Sequence, residues 1–115
     1  MDSADVFGLR NAWMESRQTA RDCIDEQMEL CIEAATAEAE YYKTKYSTMV
    51  RLKAEGNFNQ TFIADFIKGV PEVAEKLLAH RMASLRYQAA KQATSYYTNE
   101  EAHLFKEYSQ ALEGR

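Results

Sequence analysis

Residues 56–71 read GNFNQTFIADFIKGVP. The stretch contains Gly56, Gly69 and Pro71, which are three of the five glycines and prolines in 115 residues; Gly8 and Gly114 lie near the ends. Glycine and proline are the residues that interrupt helices, and tight-turned sheets need them often. Their confinement to one central stretch argues for two long helices joined by a short tip, and against a sandwich or barrel. The stretch itself is patterned. Asn57 and Gln60 have the spacing of a capping box. Phe62, Ile63, Phe66 and Ile67 follow as an apolar stripe over two turns. Gly69 is a stop, and Pro71 suits the first turn of a new helix. We therefore expect an all-α chain in a single domain over residues 1–115. It has a first arm over 5–55, a tip helix over 58–68 and a second arm over 71–113.

Outward from the tip, the first arm carries a ladder through Trp13, Ala20, Ile24, Met28, Cys31, Ala35, Ala39, Tyr42, Tyr46 and Met49, interrupted by Arg17. Its mean step is the 3.6 residues of a straight helix rather than the 3.5 of a coiled coil. Asp2, Ser3 or Asp5 can cap its start. Gly56 can end it, with Arg51 and Lys53 placed to complement the helix dipole. The second arm carries Leu78, Met82, Leu85, Ala89, Ala93 and Tyr96, then Leu104, Tyr108 and Leu112 on a shifted face. Folding the arms together antiparallel sets Ala34, Ala35 and Ala37 opposite Ala89, Ala90 and Ala93. It also sets Tyr42 near Leu85 and Trp13 near Leu112. Small residues then face small ones and large face large. Val6, Phe7, Leu9, Leu30, Ile32, Val50, Leu52, Leu77 and Phe105 remain as second apolar edges. A two-helix hairpin has a small core, so we expect a homodimer that covers them. The alternatives are a break in the first arm within residues 8–17 and a kink in the second near Thr98, where Thr98-Asn99-Glu100-Glu101 resembles another capping box.

The inventory narrows function mainly by exclusion. Fourteen basic and eighteen acidic residues leave a net charge of −4, unlike a general polyanion binder. Cys23 and Cys31 lie eight residues apart, too far along one helix for a disulfide. They read as free, mostly buried thiols of a reducing cytoplasm. No secretory signal or membrane-length apolar run is seen. Glycine-rich phosphate loops and serine-nucleophile motifs are missing. Glu100 and His103 form one E-x-x-H, where a di-iron bundle needs two and further carboxylates. We expect no catalysis, metal or cofactor.

Charge is distributed unevenly. Residues 1–40 hold ten acids and three bases, net −7, whereas residues 41–55 hold four bases and one acid, net +3. Asp22, Glu26, Glu29, Glu33 and Glu40 follow a helical period, with Asp25 alongside. Carboxylates at such spacing are neighbours, and a row of them roughly imitates one phosphate strand. The plainer reading is the wet face of a long helix. Lys43, Lys45, Arg51 and Lys53 are interleaved with Tyr41, Tyr42 and Tyr46. That combination can bind single-stranded nucleic acid, although Tyr42 and Tyr46 fall on the ladder expected to be core. Phe58, Phe62 and Phe66 make the tip unusually aromatic. They are candidate contact residues unless they fold down onto the hairpin. Ile63-Ala64, Gly69 and Val73-Ala74 faintly suggest a helix-turn-helix, but its glycine offset and an overlong second helix argue against DNA reading.

Several segments also resemble known proteins. They are Ala37-Glu38-Ala39-Glu40-Tyr41-Tyr42-Lys43, Leu52-Lys53-Ala54-Glu55-Gly56, Ile63-Ala64-Asp65, Lys68-Gly69, Glu72-Val73-Ala74, and Arg81 through Lys91 with Tyr87, Ala89 and Ala90. Across residues 34–94 the chain is similar to small helical-hairpin accessory proteins of phages and prophages of Gram-positive bacteria. The resemblance implies a cytoplasmic protein, without catalytic residues, that acts by contact with a host or phage protein of DNA metabolism or defence. An inhibitor of a DNA-targeting nuclease, as anti-CRISPR proteins are, is the leading expectation. The alternatives are a recombination or replication accessory that binds single-stranded DNA or its annealing protein, and a structural or assembly factor.

Overall fold

The computed structural model describes residues 3–56 and 60–114. The chain is an all-α helical hairpin. Helix α1 spans Ser3–Ala54, the short helix α2 spans Gln60–Phe66, a 3-10 turn spans Ile67–Gly69, and helix α3 spans Pro71–Glu113. α1 is continuous through Gly8 and Arg17, and α3 through Thr98. The helix ends follow local chemistry. Gly56 has φ of 82°, a left-handed conformation open to glycine, and its N–H donates to the Lys53 carbonyl at 3.1 Å. Val70 is extended (ψ 125°), as a residue preceding proline should be. Its carbonyl accepts the Ala74 N–H at 2.8 Å and so opens α3. Asp2 and Asn57, named above as caps, lie outside the described residues.

Two compact units divide the chain: Met1–Glu29 with Gln88–Arg115, and Leu30–Tyr87. In each, α1 packs antiparallel to α3. The face used is not the expected one. In the first unit the buried and half-buried positions of α1 follow a row through Val6, Leu9, Trp13, Ser16, Ala20, Cys23 and Gln27, with Ala12 beside it. In the second unit they include Leu30, Ala34, Ala37, Tyr41, Thr44, Thr48 and Leu52. From Val6 to Thr48 the steps alternate between three and four residues, which is the 3.5-residue heptad spacing and not 3.6; the last step, to Leu52, is a second four. α3 answers with His80, Ala83 and Tyr87 in the second unit, and with Ala90, Thr94, Tyr97, Glu101, Leu104, Tyr108 and Ala111 in the first. Most of the ladder expected to be core is outside: Ile24, Met28, Tyr42 and Tyr46 on α1 and Leu78, Met82, Leu85 and Tyr96 on α3 are exposed. Conversely, Val6, Leu9, Leu30, Leu52 and Leu77, expected at free edges, belong to the seam. A strict heptad row keeps facing one partner over many turns, and small residues such as Ala20 and Ala83 let two backbones approach.

The register also differs from the expected one. Cys23 gives its carbonyl to the Thr94 hydroxyl at 3.2 Å, well short of the level that pairing Trp13 with Leu112 would set. Tyr42 and Leu85, expected to meet, are both exposed, and the neighbouring Tyr41 stacks on His80 with ring centroids 5.9 Å apart. Trp13 meets Phe105 and Tyr108 at 5.0 and 5.7 Å, and Leu112 is exposed. The reason in the first unit is polar pairing. The Trp13 indole Nε1–H donates to Glu101 at 2.7 Å, and buried polar groups demand partners that a slipped register would remove. In the second unit the reason is the tip. Ile63, Ile67 and Val73 are fully buried, and Ile67 and Val73 form a cluster with Tyr41, flanked by Met49, Val70 and Leu77. The 3-10 turn after α2 therefore packs beside α1 as part of the returning arm, which shifts the pairing.

Candidate contact surfaces

The helical period of α1 does place the acidic side chains outward. In the first unit Asp22, Asp25, Glu26 and Glu29 are all exposed, at helix spacings of three and four residues. Adjacent members of such a row have Cβ atoms about 5–6 Å apart. Asp22 accepts a hydrogen bond from the Gln18 amide at 2.9 Å. In the second unit Glu33 and Glu40 are likewise exposed. Among the described residues no lysine or arginine forms an ion pair with Asp25, Glu26, Glu29, Glu33 or Glu40. The arrangement is a set of solvated negative charges without a counterion among the described residues, suited chemically to a cationic surface.

The tip divides its apolar stripe. Ile63 and Ile67 turn inward, while Phe62 and Phe66 are 49% and 44% exposed and stack on each other at 5.6 Å. Both residues thus stay largely accessible, so these two phenylalanines have not folded down into the core. Phe58, the third aromatic expected here, lies outside the described residues.

The exposed apolar faces are the feature that sequence reasoning misplaced. Within the second unit, α1 exposes Ile32, Tyr42, Tyr46 and Val50, and α3 exposes Leu78, Met82 and Leu85. Tyr42 and Tyr46 stack at 6.1 Å, and the Lys45 ammonium lies 5.9 Å from the Tyr42 ring centroid. A cation over a tyrosine face is attracted by the ring quadrupole. The signal was available in the sequence, where Ile32, Ala35, Ala39, Tyr42 and Tyr46 alternate steps of three and four residues. Of the two thiols, Cys23 is half-buried and Cys31 is exposed, contrary to the expectation that both lie mostly inside.

In the first unit a shallow groove of about 430 Å³ runs between Ala12, Glu15, Ser16 and Thr19 of α1 and Tyr97, Glu100 and Leu104 of α3. The buried Ser16 hydroxyl there has no hydrogen-bond partner among the described residues. His103, of the E-x-x-H, pairs with Glu107 at 3.0 Å one turn further on. Among the described residues no three histidines, cysteines or carboxylates are grouped to hold a metal. α3, the helix that follows the tip, is 43 residues long, unlike the short recognition helix of a helix-turn-helix. No described helix is long and apolar enough to cross a membrane.

No protein-family model matches the chain, and none of the curated proteins or solved structures compared with it does. Functional argument therefore rests on the surfaces themselves.

Proposed function

We propose that this protein works by protein contact rather than catalysis, as an inhibitor of a DNA-targeting nuclease of the kind anti-CRISPR proteins oppose. The observation that carries this reading is the exposed, uncountered run of Asp22, Asp25, Glu26 and Glu29 on α1. A nuclease groove that binds a phosphate strand is lined with lysine and arginine. A helix that presents carboxylates at neighbouring turns competes for the same cations, and its binding weakens as salt screens them. The exposed Phe62 and Phe66 would add an apolar anchor of the sort that concentrates binding energy. The likeness to phage hairpin proteins points the same way.

The test is DNA cleavage by an RNA-guided nuclease, with and without the protein. Changing Asp22, Asp25, Glu26 and Glu29 together to lysine should weaken inhibition by about tenfold or more. Circular dichroism should stay helical, because all four side chains are exposed. Inhibition that survives the change undiminished would remove the carboxylate mechanism.

A second reading is favoured by the position of Tyr42 and Tyr46, which are stacked and exposed beside Lys43 and Lys45. Bases of a single strand can stack on such rings while lysines meet phosphates. An accessory bound to single-stranded DNA would shift an oligonucleotide at low salt. Tyr46→Ala would then weaken binding by about 1–3 kcal/mol. A wild-type protein that produces no shift at high micromolar concentration excludes this role.

A further inference from the structure

Within the unit Leu30–Tyr87, α1 has a second apolar row on its outward side. Ile32, Ala35, Ala39, Tyr42 and Tyr46 are all exposed. Their steps alternate three and four residues, the same heptad alternation as the seam buried against α3. A row of this spacing matches another helix rather than an irregular partner.

We infer that a second copy of the chain covers this row, with the two α1 helices pairing antiparallel about a twofold axis between Glu40 and Tyr41. In that register Ala39 lies opposite Tyr42 of the partner subunit, and Ala35 opposite Tyr46 of the partner subunit. The twofold axis repeats both pairs, so each large ring meets a small residue. Lys45 and Glu38 of the partner subunit flank the same side of this seam, two residues out of level and within reach of their long side chains. The wider charge pattern agrees: residues 1–40 carry −7 and residues 41–55 carry +3. Antiparallel pairing sets the acidic stretch of one α1 against the basic end of the other, whereas parallel pairing sets like against like. Lys45 is already held at the edge of the row, its ammonium 5.9 Å from the centroids of both Tyr41 and Tyr42.

Sedimentation equilibrium of the full chain tests the pairing. The wild type should have the mass of a dimer at about 10 µM. Lys45→Glu and Glu38→Lys each place like charges across the interface twice, and each should weaken dimerisation about tenfold or more. An equimolar mixture of the two variants re-forms both ion pairs and should recover the dimer. Helicity by circular dichroism should not change in either variant. A wild-type monomer at about 100 µM overturns the pairing, whether or not an oligonucleotide occupies the tyrosines. So do single variants that dimerise like the wild type, or a mixture that fails to recover. If Leu85→Glu dissociates the dimer and the charge reversals do not, the α3 face is the interface and the α1 pairing is wrong.

Discussion

Replacing Ile67 with alanine should destabilise the protein by about 2–5 kcal/mol, seen as a lower midpoint in urea at unchanged slope. Ile67 is fully inaccessible and sits against Tyr41 and Val73, which belong to α1 and α3. Truncation removes its transfer free energy and leaves a cavity that three elements must collapse to fill. A small domain typically has about 5–15 kcal/mol in total. This one site therefore holds a large share of the stability of the unit Leu30–Tyr87. The neighbouring Phe66 provides the control. It is larger but 44% exposed, so Phe66→Ala should cost roughly 1 kcal/mol or less. Equal losses at the two positions would mean that the tip does not pack as described. The contrast also separates stability from contact. If Phe66 binds a partner, its truncation should reduce binding while leaving the urea midpoint nearly in place.

Trp13→Ala should have a comparable effect on the unit Met1–Glu29 with Gln88–Arg115, about 3–5 kcal/mol. The indole packs against Phe105 and Tyr108, with the Arg17 guanidinium 5.7 Å from its centroid. Its Nε1–H donates to the half-buried Glu101 carboxylate at 2.7 Å. Truncation removes the aromatic packing and strands a carboxylate acceptor in the seam. Trp13→Phe separates the two contributions, because it keeps a ring but removes the donor. It should cost about 1.5–3 kcal/mol, the range for a hydrogen bond to a charged group. Restoration of the phenylalanine variant by Glu101→Leu, which fills the same seam position without a charge, would identify the stranded carboxylate as the cause. If Trp13→Phe is neutral, the 2.7 Å hydrogen bond contributes nothing to the register.

The cysteines, the ladder and the register illustrate how far local patterns reach. On α1, residues 24–50 are apolar on two nearly opposite faces. The row through Met28, Ala35, Tyr42 and Tyr46 contains the larger side chains, so counting hydrophobicity favours it for the core. The row through Ala34, Ala37, Tyr41 and Thr48 is smaller and more polar, yet it is the one buried. Burial of the small row depends on what α3 offers opposite it. His80, Ala83, Tyr87, Thr94 and Glu101 keep step at 3.5 residues, and hydrogen bonds such as Thr94 to the Cys23 carbonyl hold that alignment. No window along a single helix contains this information, because it belongs to a pairing between residues 71 positions apart. Cys31 follows the same rule: it lies off the buried row and is exposed.

The places where the backbone must break were legible without any structure. Gly56 tolerates a positive φ, Pro71 lacks an N–H, and the residue before proline avoids helical ψ; each is a property of one or two residues. The same holds for the outward position of Asp22, Asp25, Glu26 and Glu29, because desolvating four carboxylates without counterions is too costly for any fold to bury them. The choice between two apolar faces, and the offset between the arms, belonged to tertiary structure alone. Hydrophobic burial is nondirectional and nearly indifferent between two greasy rows. Packing density and buried hydrogen bonds are directional, and they select one row and one register only when both helices are present.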